Sequence, residues 1–157
     1  MKILLILVGK TVTSPLIELF NDYEGRLKHY APFTTEVIPD LRNAKNLSEN
    51  EIKEKEGELI LKTIQNGDTV VLLDDKGQTF SSREFSAWLE RKQTCVSKRL
   101  TFVIGGAYGF SKAVYNRANE QLSLSKMTFS HQLVRVIFAE QLYRAFTILN
   151  HEPYHHE

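Results

Sequence analysis

The sequence predicts an α/β fold: an open, mainly parallel sheet with helices on both faces. Three observations predict it. The short apolar runs Ile3–Val8, Thr69–Leu73 and Leu100–Ile104 lack the alternation of a half-wetted strand, so they read as strands buried on both sides. Stretches with apolar residues at helical spacing lie between them, which is the order expected of crossover connections. Capping residues, glycine or proline mark most of the changes from one pattern to the other. The chain has 157 residues, 42% of them hydrophobic. Roughly 66 side chains are therefore available for a core, enough for one globular domain, residues 1–157, that needs no disulfide or metal to stay folded.

The elements follow in order. Ile3–Val8 opens the chain as a buried strand. Ser14-Pro15 supplies an N-cap and a proline at the first helical position, and Leu16, Phe20, Tyr23, Leu27 and Tyr30 recur at spacings of four and three, which makes an amphipathic helix. A short strand near Thr35–Ile38 stops at Pro39. Ser48-x-x-Glu51 is a capping box that opens a second helix with Ile52, Leu59, Ile60 and Ile64 inward, ended by Gly67. Residues 40–62 carry six acids and five bases, which reads as a solvated helix face. Thr69–Leu73 is the next strand and runs into a turn, Asp74-Asp75-Lys76-Gly77. A second capping box, Ser81-x-x-Glu84, starts a helix with Phe85, Trp88 and Leu89 inward. Leu100–Ile104 is followed at once by Gly105-Gly106-Ala107-Tyr108-Gly109 and a helix from about Ser111 to Gln121. Leu122–Met127 reads as a fifth, weaker strand, and Ser130 as the N-cap of a last helix reaching Asn150. Twelve of the twenty residues from Ser130 to Leu149 are apolar, and they leave only a narrow polar strip containing Glu140, Arg144 and Thr147. One sheet face cannot cover so much surface, so a second surface is expected on this helix, most simply a partner subunit.

Composition excludes several functions. Cys95 is the only cysteine, which excludes an internal disulfide framework and a cysteine-based zinc site and points to a reducing, cytoplasmic compartment. The longest aliphatic run is far shorter than the ~20 residues that span a bilayer, so no membrane segment or secretory signal is expected. Net charge is +1, so any nucleic acid must be bound by a local patch rather than by the field of the whole molecule. The segment from Arg83 to Arg99 is locally basic, with five bases against two acids, and offers a phosphate contact.

Three glycines in five residues at the carboxyl end of a central strand fit a ligand crevice, because glycine lets backbone approach a ligand closely. The spacing is neither G-x-G-x-x-G nor G-x-x-x-x-G-K-[ST], which weakens dinucleotide and ATP readings. No G-x-S-x-G elbow supports a serine hydrolase. Three of the five histidines crowd the last seven residues, yet adjacent histidines after a proline make a poor metal set, and no metal is expected. His131 and Arg135, one helical turn apart, project from the same side and could meet a polar ligand.

The second half of the chain goes further. Phe102-Val103-Ile104-Gly105-Gly106-Ala107-x-Gly109, Leu122-Ser123-Leu124-Ser125-Lys126-Met127-Thr128 and His131-Gln132-Leu133-x-Arg135 resemble the bacterial ribosomal RNA large subunit methyltransferase H family of the SPOUT class. Leu72-Leu73-Asp74-x-x-Gly77, Glu140-Gln141-Leu142-Tyr143-Arg144-Ala145 and Pro153-Tyr154-His155 match it as well, and the lengths agree. Tyr108 within the glycine motif departs from the pattern, and the N-terminal third is only loosely similar. The resemblance implies a C-terminal trefoil knot, a homodimer, and S-adenosylmethionine bound by Leu73, Gly105, Leu124, Ser125, Lys126, Met127, Thr128 and Phe129. It further implies methylation of N3 of a pseudouridine in helix 69 of 23S ribosomal RNA within the 70S ribosome, with no DNA or membrane partner. Tyr154 and His155 are expected near the transfer centre, with His131 and Arg135 helping to place the base or RNA backbone. The rival is a noncatalytic SPOUT-like RNA-binding or ribosome-assembly factor.

Overall fold

A computed structural model describes residues 1–156. Five strands, β1 (Lys2–Val8), β2 (Phe33–Ile38), β3 (Thr69–Thr79), β4 (Arg99–Ile104) and β5 (Glu120–Ser123), form one sheet in the order β2-β1-β4-β3-β5. Every pairing is parallel, as the unbroken apolar runs predict. Five helices connect or follow the strands: α1 (Ser14–Leu27), α2 (Glu49–Thr63), α3 (Ser82–Cys95), α4 (Lys112–Arg117) and α5 (Leu133–Leu149).

Both sheet faces are covered. Leu5, Leu7 and Phe102 pack under α1, α3 and α5, while Leu4, Ile6 and Val103 pack under α2 and α4. The steps from β1 to β2 and from β3 to β4 run toward the β2 edge, with their helices on the first face. The steps from β2 to β3 and from β4 to β5 run the other way, with their helices on the second. All four crossovers thus share one hand, as twisted parallel strands require.

Both predicted capping boxes form, at Ser48–Glu51 and Ser81–Glu84. Elsewhere the boundaries move for identifiable reasons. The N-cap of α1 is Thr13 rather than Ser14, with Pro15 in the first turn. Helix α2 stops at Thr63, and Gly67, at φ +89°, lies in the turn that follows. Asp74–Gly77 is a bulge inside β3 rather than a turn, since β3 pairs with β5 again at Gln78 and Thr79. Gly77 is required there: a Cβ would lie 2.6 Å from the backbone of Gln121 and Leu122.

Helix α4 ends at Arg117 rather than Gln121, because the backbone and side chain of Asn119 both bond to Val70 and draw the chain into the sheet. Strand β5 therefore starts at Glu120. It ends at Ser123 rather than Met127, because Ser123 Oγ donates to the Ser125 carbonyl and Ser125 Oγ accepts from the Met127 N–H, local bonds that replace the ladder. The last helix begins at Leu133 with Gln132 at its N-cap rather than Ser130, whose Oγ accepts from Leu133 N–H at 3.1 Å in the turn before the helix.

The second surface expected on α5 is supplied in part by the protomer itself. The helix lies between α1 and α3 with Phe138 against Phe102, ring centroids 4.8 Å apart, and these neighbours of its own chain bury Val136, Phe138, Ala139, Leu142, Ala145 and Phe146. Leu133 stays exposed, and Val134, Ile137, Tyr143, Ile148 and Leu149 are half-buried, so part of its apolar surface remains open in one protomer. No described helix is long and apolar enough to cross a membrane.

Candidate functional site

A cavity of about 510 Å3 opens at the carboxyl ends of β3, β4 and β5, the edge at which open α/β sheets bind ligands. Leu73, Ile104 and Leu122 line it from the strand ends. One wall is the glycine loop from Gly105 to Phe110, and the other is the connection from Leu124 to Phe129 together with His131 and Val134 on the way into α5.

The glycine wall packs closely against Phe110 and Glu56. A Cβ on Gly105 would lie 2.9 Å from the buried Phe110 ring, and one on Gly106 would lie 2.9 Å from both carboxylate oxygens of Glu56. Gly109 adopts φ +83°, which favours glycine, and its N–H donates to the Gly106 carbonyl at 3.3 Å. Glu56 belongs to the charged stretch read as a solvated face, and here that reading is corrected: Glu56 is half-buried against the loop and Lys53 lines the cavity. Burial, and then the negative charge of Asp40, push the Glu56 carboxyl above the usual carboxylate range.

The β3 bulge carries Asp74, which accepts a short hydrogen bond from the Tyr115 hydroxyl and a second from Lys76 N–H at 2.9 Å. Burial alone would raise the Asp74 pKa, but these bonds outweigh it and hold the group below the usual range. The Tyr115 phenol is pushed well above its ordinary value by burial and by this carboxylate. The cavity thus has an apolar floor, glycine backbone on one side and a fixed carboxylate at its edge.

Of the residues expected at a cofactor, Leu73, Gly105, Leu124, Ser125, Met127, Thr128 and Phe129 line this one cavity. Lys126 is exposed and does not line it. His131, expected nearer the substrate, lines it too.

Arg135 does not reach it. The side chain is fully buried: Nη2 donates to the Val8 carbonyl at 2.7 Å, Nη1 to Thr11 Oγ1 at 2.9 Å and Nε to the His131 carbonyl at 3.0 Å. Burial lowers its pKa against an opposing pull from Asp40, yet an arginine stays charged regardless. The expectation that it contacts RNA is corrected to a positioning one, because the buried guanidinium ties the start of α5 to the end of β1. Gln132 adds a second tie, accepting from Val12 N–H and donating to the Lys10 carbonyl.

Tyr154 and His155 lie elsewhere in the protomer. Tyr154 donates to Glu140 at 3.1 Å and packs edge-on against Tyr143, with the Arg144 guanidinium 5.0 Å from its ring centroid. Burial, a hydrogen bond with Tyr23 and the charge of Glu140 raise its pKa strongly, so the phenol stays neutral. His155 Nδ1 lies 3.0 Å from Arg144 Nη1. The tail therefore follows the polar strip of α5 and does not line the cavity. Among the described residues, no three His, Cys, Asp or Glu side chains gather closely enough to hold a metal ion.

Sequence reasoning gave Tyr115 and Glu56 no role at the site. Only their registers hinted at one: Tyr115 lies one turn after the cap Ser111, and Glu56 precedes Gly57, whose missing Cβ lets α2 approach Ser111.

Comparison with known proteins agrees with this geometry. A family model described as "Predicted SPOUT methyltransferase" matches residues 1–155. Curated proteins named ribosomal RNA large subunit methyltransferase H are similar along the whole chain. The protein of Parabacteroides distasonis is 63% identical over 157 residues, that of Phocaeicola vulgatus 59% and that of Bacteroides fragilis 57%, each covering 100% of both chains. Among solved structures, a probable methylase family protein from Haemophilus influenzae superposes with a TM-score of 0.52 at 13% identity. That match covers 99% of this chain and 70% of the other, and it supports the fold alone.

Proposed function

The chain belongs to the SPOUT methyltransferase family, and on that premise we propose that it methylates ribosomal RNA of the large subunit with S-adenosylmethionine as donor. The finer reading is transfer to N3 of a pseudouridine in helix 69 of 23S ribosomal RNA on the assembled 70S ribosome, in the cytoplasm, by a homodimer of one-domain chains that carry the family's trefoil knot. The observation that carries the proposal is the gathering of Leu73, Gly105 and the 124–129 connection around one cavity at the carboxyl edge of the sheet.

The cavity suits the donor. A Cβ on Gly105 would crowd its wall, its floor is apolar, and Asp74 offers a carboxylate to a cationic ligand. Leu73, Gly105, Leu124, Ser125, Met127, Thr128 and Phe129 would hold S-adenosylmethionine, whose sulfonium methyl is already electrophilic when bound. The protein's part is then to align the base in line with that methyl and to help its weakly acidic N3–H depart. His131 at the cavity can hydrogen-bond a base or take up a proton. The neutral Tyr154 phenol can donate to a base carbonyl but is a poor proton acceptor. Because the tail does not line the cavity of its own protomer, Tyr154 and His155 act at the transfer centre only by reaching the cavity of a second copy. The RNA role rests on the relatives' names, together with Lys53 and Lys76 at the cavity as phosphate contacts.

Titration calorimetry with S-adenosylmethionine, with NADH as control, followed by methyl transfer to ribosomes lacking the modification, tests the proposal. Binding of the methyl donor alone, with label appearing in 23S ribosomal RNA, is expected. A folded protein that binds ribosomes yet neither binds the donor nor transfers a methyl group would instead be the noncatalytic factor.

A further inference from the structure

Tyr108 stands out at the mouth of the cavity. It sits at the tip of the glycine loop, lines the cavity and is 48% exposed. Among the described residues its ring packs against no other aromatic ring and its hydroxyl has no hydrogen-bond partner. Folding therefore gains little from an aromatic side chain at this position, where a small polar residue would complete the same turn. The turn itself is rigid, closed by the Gly106–Gly109 bridge and backed by Phe110 and Glu56. The ring is thus presented on a fixed backbone rather than on a loose loop.

Two more of the large apolar side chains left in solvent line the same cavity. Met127 is 77% exposed and Phe129 38%, both on the connection that forms the other wall. An exposed apolar patch around a polar-rimmed cavity marks a binding surface. A cofactor seated on the floor at Leu73, Ile104 and Leu122 leaves these outward-facing groups to whatever arrives next. A nucleobase must leave its stack before a methyl donor in a cavity can reach it, and unstacked bases are held by aromatic faces.

We propose that Tyr108 is a positioning residue for the substrate, on whose ring the target base, or the base next to it, stacks as it enters the cavity. The inference rests on the methyltransferase reading above and adds to it the group that receives the RNA. The ring acts through its π face, so the hydroxyl is dispensable.

The test compares the full-length protein with Tyr108→Ala and Tyr108→Phe, measuring S-adenosylmethionine affinity by calorimetry and steady-state methyl transfer to unmodified ribosomes. Loss of one base–aromatic stack predicts a KM for ribosomes raised about tenfold in Tyr108→Ala, with kcat and donor affinity unchanged. Tyr108→Phe should restore the wild-type KM. An unchanged KM in Tyr108→Ala overturns the proposal. So does a matching loss of donor affinity, which would place the ring on the cofactor, and so does a Tyr108→Phe variant as impaired as Tyr108→Ala. Failure of the underlying reading shows separately, in a wild-type protein that neither binds the donor nor transfers a methyl group, and it removes this inference as well. Far-UV circular dichroism melts of both variants should match wild type, because the position is on the surface.

Discussion

Replacing Arg135 with methionine removes the guanidinium that joins the start of α5 to the end of β1 while keeping most of the side-chain volume. Three hydrogen bonds go, to the Val8 carbonyl, Thr11 Oγ1 and the His131 carbonyl. Water can replace the donor at the partly exposed Thr11 and the exposed His131. The Val8 carbonyl is buried, and an orphaned buried acceptor costs about 1–3 kcal/mol. Losing the charge-assisted bonds adds to that, and relief from the desolvation of a buried cation offsets part of it. The balance is a destabilisation of about 2–4 kcal/mol, a large fraction of an ordinary domain's stability. Urea unfolding at neutral pH measures it. Calorimetry at a temperature where the variant is still folded should also show weaker S-adenosylmethionine binding, since His131 and Val134 lose their anchor. A change in stability below about 0.5 kcal/mol, within the range of an ordinary surface substitution, would refute the reasoning and leave Arg135 available for a direct contact with RNA.

The other expectations are more local. Gly105→Ala places a methyl 2.9 Å from the Phe110 ring at the cavity wall and should weaken S-adenosylmethionine binding about tenfold or more by calorimetry, with a smaller loss of stability. Removing residues 154–157 should spare donor binding, because the tail does not line the cavity, and severely lower methyl transfer to ribosomes; an unchanged rate would leave the tail a structural strap on α5. His151 closes the last helix at φ +55°, with its N–H on the Ile148 carbonyl and the Glu152 N–H on the Thr147 carbonyl, so His151→Gly should raise stability by about 0.5–1 kcal/mol in urea melts.

Asp68 gives a pH dependence with a definite sign. Burial would raise its pKa, but hydrogen bonds from Arg99, the Gln65 N–H and Thr101 overcome that and hold it below the ordinary 3.8. A depressed folded-state pKa means that the stabilisation is complete above the unfolded value and is lost as pH falls through the folded one. Wild-type stability should therefore drop as pH falls below about 4, and Asp68→Asn, destabilised by about 2–4 kcal/mol at pH 7, should lose less over the same acid range.

The parallel sheet was legible because β1 and β4 are buried on both faces, a demand that unbroken Ile, Leu and Val runs express directly. The capping boxes were legible because their bonds are local, three residues apart. The bulge at Asp74–Gly77 was not, since a strand that leaves its partner and rejoins it is specified by the distant Gln121–Leu122 backbone. The α4–β5 boundary was set by Asn119 reaching Val70, 49 residues away, which local propensity cannot see. The coverage of α5 was legible only in outline: its pattern demanded a second apolar surface, which α1 and α3 supply in part, and periodicity does not say what covers the rest. The cavity residues came from a family resemblance, and the spacing of the glycines by itself indicated only a crevice.

That division explains why the candidate site sits where it does. Its floor comes from strand ends that the hydrophobic pattern fixes, whereas its second wall, residues 124–131, has no regular secondary structure and little packing of its own. That wall is held by bonds spanning almost the whole chain: Gln132 to Lys10 and Val12, and Arg135 to Val8 and Thr11, separations of 120 to 127 residues. Such non-local contacts repay their loop-closure entropy only after the sheet has formed. A ligand in the cavity bridges the 124–131 connection and the ends of β3 and β4, so it opposes the separation that unfolding requires and should stabilise the whole chain by mass action rather than one loop. Hydrogen exchange with and without S-adenosylmethionine distinguishes the two. Slowed exchange confined to the walls would mean that the connection opens independently of the core. Slowing that extends to the β1 amides paired with β4 would mean that the cavity and the central sheet unfold as one unit.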